Sequence, residues 1–189
     1  MLRIISGKHK NRLIPKVKNA KCRPSTSKFK EAVFSILTSY EFIDQDLFSS
    51  NYNVLDLFSG TGSYGFEALS RGISFVTFID INLDCIKLAK DFAELIGEKD
   101  NTSFLHLNAL ILPKSNRNYD LVFMDPPYHN NFVPKAIDSL IKNNWIKSGS
   151  LIIAELAEKD DVLLQNSIKL LKQRIYGNNK LLILRYEQD

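Results

Sequence analysis

The stretch Val54-Leu55-Asp56-Leu57-Phe58-Ser59-Gly60-Thr61-Gly62-Ser63-Tyr64-Gly65 decides the fold of this chain. Val54 to Phe58 is a short apolar run broken by one acid, the pattern of a buried strand. Gly60-x-Gly62-x-x-Gly65 follows at once, and Phe66, Ala68 and Leu69 then continue as a helix stopped by Gly72. Glycines at such a junction let the backbone approach a ligand closely, and the helix N-terminus offers free N–H groups. Twenty residues after Gly60, Asp80 closes the next apolar run, Ile73 to Ile79. A carboxylate there can accept hydrogen bonds from ribose hydroxyls, with Ile81 beside it as a further contact. Strand, loop, helix, strand and acid in this order point to a cofactor with an adenosine-like half.

The same alternation continues outward. A helix is expected from about Leu83 to Ile96, ended by Gly97, then a strand over Ser103 to Leu107 and another over Asp120 to Met124. Phe132 to Ile141 reads as a helix and Leu151 to Leu156 as a fifth strand. Two further runs, Ile168 to Ile175 and Leu181 to Tyr186, are joined by Gly177-Asn178-Asn179, a hairpin signal. Strands alternating with helices imply a doubly wound, mostly parallel α/β sheet covered on both faces, to which the C-terminal hairpin adds an antiparallel strand. Trp145 is expected to pack in the core.

Asp56 and Phe58 bear on which adenosine cofactor fits. An acid on the first strand, just before the loop, suits the amino end of a methionine moiety and sits badly beside a pyrophosphate. That favours S-adenosylmethionine over a nicotinamide dinucleotide. The competing role for Asp56 is to hydrogen-bond the loop backbone. Asn108-Ala109, after the third strand, can present an amide to an adenine edge or simply form a strand-end turn.

Asp125-Pro126-Pro127-Tyr128 follows the fourth strand, at the carboxyl edge where ligands bind in open parallel sheets. An exocyclic amine on a base is a poor nucleophile, because its lone pair is delocalised into the ring. Two acceptors on its N–H groups can hold the nitrogen in a more pyramidal geometry. Asp125 supplies a carboxylate, and Pro126 a backbone carbonyl on a stiff segment. Tyr128 offers a face for base stacking, which contributes about 1–3 kcal/mol in single-strand sites. This chemistry requires no metal. Two cysteines, Cys22 and Cys85, and three scattered histidines, His9, His106 and His129, do not make a zinc site.

The formal net charge of +4 conceals an asymmetry. Residues 1 to 30 hold ten Lys and Arg and no Asp or Glu, while the rest of the chain carries 15 basic and 21 acidic side chains. A basic arm on a neutral-to-acidic body suggests a polyanionic partner, most often nucleic acid. Within the arm, residues 2 to 14 read as a β-hairpin turning at Ser6-Gly7. A helix follows near Ser25-Thr26-Ser27, with Phe29, Val33, Ile36, Leu37 and Tyr40 on one face. The organisation expected is a basic hairpin and helix over 1–40 and a cofactor-binding domain over 41–189. Only about sixty residues follow Tyr128, and the rest of the sheet uses most of them. Substrate reading then falls to the arm, where Arg3, Lys8, Arg12, Arg23, Lys28 and Lys30 are the candidate phosphate contacts. No apolar run is long enough to span a bilayer, no secretory signal opens the chain, and cysteine usage suits a reducing cytoplasm. A monomer is the expectation.

Several blocks together resemble a known family. They are Arg3-Ile4-Ile5-Ser6-Gly7, Arg23-Pro24-Ser25-Thr26, Glu31-Ala32-Val33-Phe34, Leu55 to Gly62, Gly65-Phe66-Glu67-Ala68-Leu69-Ser70-Arg71-Gly72 and the Asp125 tetrapeptide. The chain is similar over nearly its whole length to the bacterial ribosomal small-subunit methyltransferase D family, whose members modify guanine N2 in 16S ribosomal RNA. The resemblance implies a seven-stranded Rossmann-like sheet, S-adenosylmethionine as donor and ribosomal RNA or the small subunit as substrate. The family usually has Asp-Arg-x-Arg where Ser27-Lys28-Phe29-Lys30 stands, so charge is kept at two positions but bidentate arginine contacts are lost. The residues alone also admit a DNA adenine-N6 or cytosine-N4 methyltransferase, or a different rRNA amino-methyltransferase. Guanine N2 comes from the resemblance.

Overall fold

The computed structural model describes residues 2–17, 27–39, 52–128 and 131–188. Arg23-Pro24-Ser25-Thr26, Tyr40, His129 and all but the last residue of the boundary expected near 41–52 lie outside them. In chain order the elements are α1 (Ser27–Thr38), β1 (Asn53–Leu57), α2 (Ser63–Ser70), β2 (Phe75–Asp80), α3 (Leu83–Leu95), a 3-10 turn at Lys99–Asn101, β3 (Thr102–His106), β4 (Tyr119–Met124), α4 (Phe132–Lys142), β5 (Ile146–Ala157), β6 (Ile168–Tyr176) and β7 (Asn179–Tyr186).

The strands form one seven-stranded sheet in the order β3-β2-β1-β4-β5-β7-β6. β1 to β5 are parallel, and β7 runs antiparallel between β5 and β6. Alternate residues of β1 enter two cores. Val54 packs with Phe34 of α1, Phe66 of α2 and Phe92 of α3 on one face. Leu55 and Leu57 pack with Val133, Ile137 and Leu140 of α4 on the other. Burial on both faces explains why the strands read as continuous apolar runs. Trp145 is buried as expected, stacked on Tyr119 and donating its indole N–H to the carbonyl of Pro113 at 2.7 Å.

Strand order reverses at β1 and β4, so the cleft of the fold opens above that pair. Leu57 pairs with Ile79 on one side and with Met124 on the other, and Met124 pairs with Ala154. The residues one step beyond this aligned row are Asp80, Phe58, Asp125 and Glu155. Adjacent strands lie about 4.8 Å apart, so the glycine loop and the tetrapeptide begin side by side. Phe58, expected as a strand residue, instead turns to φ 62°, because the chain must leave the sheet there to form the loop.

The N-terminal segment is a hairpin with one bridged pair, Arg3 opposite Leu13, and its turn spans several residues beyond Ser6-Gly7. Its strongest attachments are to α2. The N–H groups of Ile5 and Ser6 donate to the two oxygens of Glu67 at 2.7 and 3.0 Å, and Arg71 Nε donates to the same carboxylate at 2.8 Å. Lys8 N–H donates to the carbonyl of Ser70. A Cβ at Gly7, where φ is +81°, would lie 1.7 Å from that oxygen, so only glycine permits this approach. The Glu67 to Gly72 block thus has a docking role. Ile4, Ile14 and the α1 residues Phe29, Val33, Phe34 and Leu37 share one core with the sheet.

Lys30 corrects an expectation. Its place in the basic arm predicts a phosphate contact, but it is 1 % exposed, and its Nζ donates to the carbonyl of Arg3 at 2.9 Å, 3.4 Å from Glu67. The helix face that turns inward is wider than the one read from spacing, taking in Phe34 and Lys30 along with Phe29 and Val33. Glu67 is fully buried among these cations and N–H donors. Glu67→Ala is therefore expected to cost about 3–5 kcal/mol in urea unfolding, since it strands a buried charge and two amide donors. A loss below about 1 kcal/mol would show that the hairpin does not depend on this carboxylate.

Candidate active site

The loop from Phe58 to Gly62 is held by backbone hydrogen bonds and by Asp80, and the start of α2 beyond it by Asp56. Ser59 N–H donates to the carbonyl of Ile79 at 2.9 Å, and Gly62 N–H to that of Ser59 at 2.8 Å. Gly65 lies against β2 so closely that a Cβ would come within 2.2 Å of the Phe78 ring. Its role is close helix–strand packing. Gly60 and Gly62 serve the loop itself, at φ 54° and 90°. The hydroxyls of Ser59 and Ser63, which bracket the loop, are buried without a hydrogen-bond partner among the described residues. Orphaned hydroxyls are rare in protein interiors, and each of these two keeps its hydrogen-bonding capacity for a polar group at the loop.

Asp80 stands where the sequence placed it, but its carboxylate also serves the fold. Oδ2 accepts Gly60 N–H at 2.7 Å and Oδ1 accepts Asn82 N–H at 2.8 Å. Each oxygen retains a second lone pair for a ligand hydroxyl. Ile81 is 65 % exposed directly beyond it, an apolar surface at the cleft. Asp56 makes the backbone contact weighed for it. It is buried, and its Oδ2 accepts Gly65 N–H at 2.8 Å, with Tyr64 N–H also directed at it. It therefore caps α2 from the neighbouring strand, where Gly62, the residue at the cap position, has no side chain to do so. Burial pushes its carboxyl up to about 8, aided by the charge of Asp80 and opposed by the Gly65 N–H and Lys30.

Asn108 forms the strand-end turn, its Oδ1 accepting Leu110 N–H at 3.0 Å, and the Ala109 side chain packs into the α4-side core. Phe58 stacks on Phe132 of α4, with ring centroids 6.2 Å apart and planes 4° from parallel. The ring thus forms part of the wall between the glycine loop and the tetrapeptide.

Pro126 to Tyr128 border a cavity of about 520 Å³ lined also by Phe132, Val133, Glu155 and Leu163. Pro126 is buried and Pro127 exposed, so the segment is anchored at its first proline. The Tyr128 hydroxyl donates to Glu155 Oε1 at 2.9 Å. Sequence reasoning misses Glu155 because it sits inside β5. A signal for it exists: the apolar runs of β2, β4 and β5 each meet an acid at one level of the sheet, at Asp80, Asp125 and Glu155.

The basic residues divide by position. Arg3, Arg12 and Lys28 are exposed. Phe29 contacts Tyr176, at the end of β6 beside the turn into β7, with centroids 5.6 Å apart, which brings the start of α1 to the carboxyl edge. Lys8 and His9 both reach the buried Glu98, beyond the end of α3 and hence at the opposite edge. Burial raises the Glu98 carboxyl, but hydrogen bonds from Lys8, Asn101 and His9 outweigh that and hold it below its usual value. His106 bonds the carbonyl of Ile81 at 2.9 Å. Among the described residues no group of His, Cys, Asp and Glu is placed to hold a metal ion, and no helix is long and apolar enough to cross a membrane.

The sheet order, the loop after β1 and the tetrapeptide after β4 define a Rossmann-like methyltransferase fold. The chain belongs to the family described as conserved hypothetical protein 95, which matches residues 2–185. It is 42 % identical to an uncharacterized methylase of Rickettsia prowazekii, over 98 % of both chains. It is 33 % identical to the ribosomal RNA small subunit methyltransferase D of Haemophilus influenzae, over 93 % of this chain and 89 % of that one. A crystal structure of a putative methylase from Haemophilus influenzae superposes with a TM-score of 0.77 at 27 % identity, covering 99 % of each chain.

The raised Asp56 carboxyl has a consequence for stability. The folded state holds this proton more tightly than the unfolded chain, so its contribution is full below about pH 4 and is lost as pH rises to about 8. Asp56→Asn keeps an acceptor for Gly65 N–H and cannot ionise. Urea midpoints measured from pH 5 to 9 are expected to fall with pH more steeply in the parent than in Asp56→Asn. Parallel curves would show that Asp56 does not titrate in this range.

Proposed function

We propose that this protein transfers a methyl group from S-adenosylmethionine to the exocyclic N2 amine of a guanine in 16S ribosomal RNA. One observation carries the reading: Asp125 begins its tetrapeptide one residue beyond the Leu57–Met124 pair, beside the glycine loop. A donor held by that loop and an amine held by that tetrapeptide would meet across neighbouring strands. The relatives named as methylases and as a ribosomal RNA small subunit methyltransferase support the donor and the substrate class. Guanine N2 rests on the family resemblance.

The residues suit the donor. The Gly60–Gly62 backbone, the second lone pairs of Asp80, the exposed Ile81 and the unpartnered hydroxyls of Ser59 and Ser63 would hold its ribose, base and polar tail. Asp56 would act on the amino end indirectly, by fixing the start of α2. S-adenosylmethionine, when bound, supplies an electrophilic sulfonium methyl. The chain's own work is placement. The carboxylate of Asp125 and the carbonyl of Pro126 accept the two amine N–H groups and turn the nitrogen lone pair out of conjugation. The Tyr128 ring stacks on the base, and the cavity beside it gives an unstacked guanine room to enter. Arg3 and Lys28, exposed near the carboxyl edge, would take phosphates next to the target. Arg12 contributes from farther along the hairpin, and Lys8 is largely committed to Glu98. Arg23 lies outside the described residues and keeps its expected phosphate contact as part of this proposal.

The deciding experiment is transfer of a labelled methyl group to 16S ribosomal RNA, free and in small subunits, with mapping of the modified nucleotide. Asp125→Ala is expected to slow transfer far more than tenfold while S-adenosylhomocysteine binds nearly as before. A loss within about tenfold, or about 1.4 kcal/mol, would mean that Asp125 does not hold the reacting amine. RNA affinity should fall with salt by about 0.7 log units per log unit of salt for each phosphate contact. Lys28→Glu should flatten that slope, and a slope unchanged by it would move the RNA off α1.

A further inference from the structure

Glu155 is a buried acid to which the proposed function assigns neither donor nor amine. It is 2 % exposed, on β5, at the level of Asp125 across the sheet. Its Oε1 accepts the Tyr128 hydroxyl at 2.9 Å and Asn179 Nδ2 at 2.7 Å. Its Oε2 accepts the Tyr64 hydroxyl at 2.8 Å. Three donors from three separate segments thus converge on one carboxylate: the tetrapeptide, the start of β7 and the first turn of α2.

From this geometry we infer that Glu155 is a positioning residue, which sets the orientation of the Tyr128 ring and couples it to the donor helix. The inference rests on the proposed function for its meaning in catalysis. A buried carboxylate is commonly no more stabilising than a well-packed apolar side chain of similar size, so stability alone does not account for one among Ile152, Ile153, Ala154 and Leu156. What it supplies is two acceptor oxygens at a fixed separation on a strand paired on both sides. The two tyrosines differ in burial. Tyr64 is buried and stacked on Phe123, with centroids 5.2 Å apart and planes 15° from parallel. Tyr128 is only half-buried, on a loop at the cavity wall, and its ring turns about two side-chain torsions. A hydrogen bond at the phenol end restrains that rotation. Loss of Glu155 should therefore act first on the substrate side and spare the donor loop.

The test uses the full chain carrying Glu155→Ala, Glu155→Gln, Tyr128→Phe, or Glu155→Ala with Tyr128→Phe. Single-turnover methyl transfer to ribosomal RNA gives the rate, and titration with S-adenosylhomocysteine gives donor-site affinity. The phenol carbon resonance of 13C-labelled Tyr128, assigned by its loss in Tyr128→Phe, reports the ring directly. Glu155→Ala and Tyr128→Phe are each expected to slow transfer by about tenfold or more, with the double variant no slower than the worse single one. Affinity for S-adenosylhomocysteine should stay within about threefold, because the losses are confined to the substrate side. Glu155→Gln should recover most of the rate and the parent resonance position, since its amide oxygen still accepts from Tyr128. The inference is overturned if Glu155→Gln is as slow as Glu155→Ala, if the two single losses multiply, or if donor affinity falls in step with the rate. Where Glu155→Ala does not fold, Glu155→Gln and Tyr128→Phe decide it through the resonance and the rate. A parent protein that transfers no methyl to ribosomal RNA overturns the proposed function. A Tyr128 resonance insensitive to Glu155 overturns the positioning role.

Discussion

The parallel pairing of β1 with β4, in the register that sets Leu57 opposite Met124, is the constraint on which the site depends. Two loops distant in sequence, one rich in glycine and one rich in proline, are brought to adjacent positions by backbone hydrogen bonds alone. The register itself is held by side-chain alternation. Slipping by one residue would exchange Leu55 and Leu57 with Val54 and Asp56 and put the acid into the α4-side core. The same alternation aims Asp56 at α2, where its carboxyl oxygen caps a helix whose residue at the cap position, Gly62, has no side chain. The loop geometry and the sheet register are thus consequences of one pattern.

A second constraint joins the N-terminal hairpin to this frame. Glu67 gathers two amide donors, an arginine and a buried lysine on one face of α2. Removing any donor leaves charge or acceptor capacity unmatched in a low-dielectric interior. Because α2 begins at the glycine loop, the hairpin and the loop share a helix. Lys30 spans both attachments, with its Nζ bonded to the carbonyl of Arg3 and 3.4 Å from that of Ser63. The basic arm is therefore part of the structure that supports the candidate donor site, besides being its most cationic surface.

Glu155 plays the corresponding part on the other side of the cleft. It links α2, the tetrapeptide and β7 through three side-chain donors. Together with Asp80 on Gly60 N–H and Asp56 on Gly65 N–H, it makes a set of strand acids that hold loops in place. Such groups restrict the loops without closing the cleft, leaving the cavity beside Tyr128 open to a planar ligand.

Much of this was legible in the amino-acid order. Apolar runs, glycine junctions and the Gly177-Asn178-Asn179 turn located seven strands to within a few residues, because both-sided burial demands unbroken apolar strands and turns demand special backbone angles. The glycine loop, Asp80 and the Asp125 tetrapeptide were visible for the same local reason. What the tertiary structure alone decided was how each polar side chain is used. Lys30 reads as one more cation of a basic arm, and only the packing of α1 against the hairpin turns it inward to Arg3 and Glu67. Asp56 was open between ligand and backbone, and only the folded structure brings Gly65 N–H to its carboxyl. Glu155 looks like an ordinary residue within a strand, because the donors that reach it among the described residues come from positions 64, 128 and 179. Local pattern determines which elements form; the partner of a charged group is set by long-range register, which no window of sequence contains.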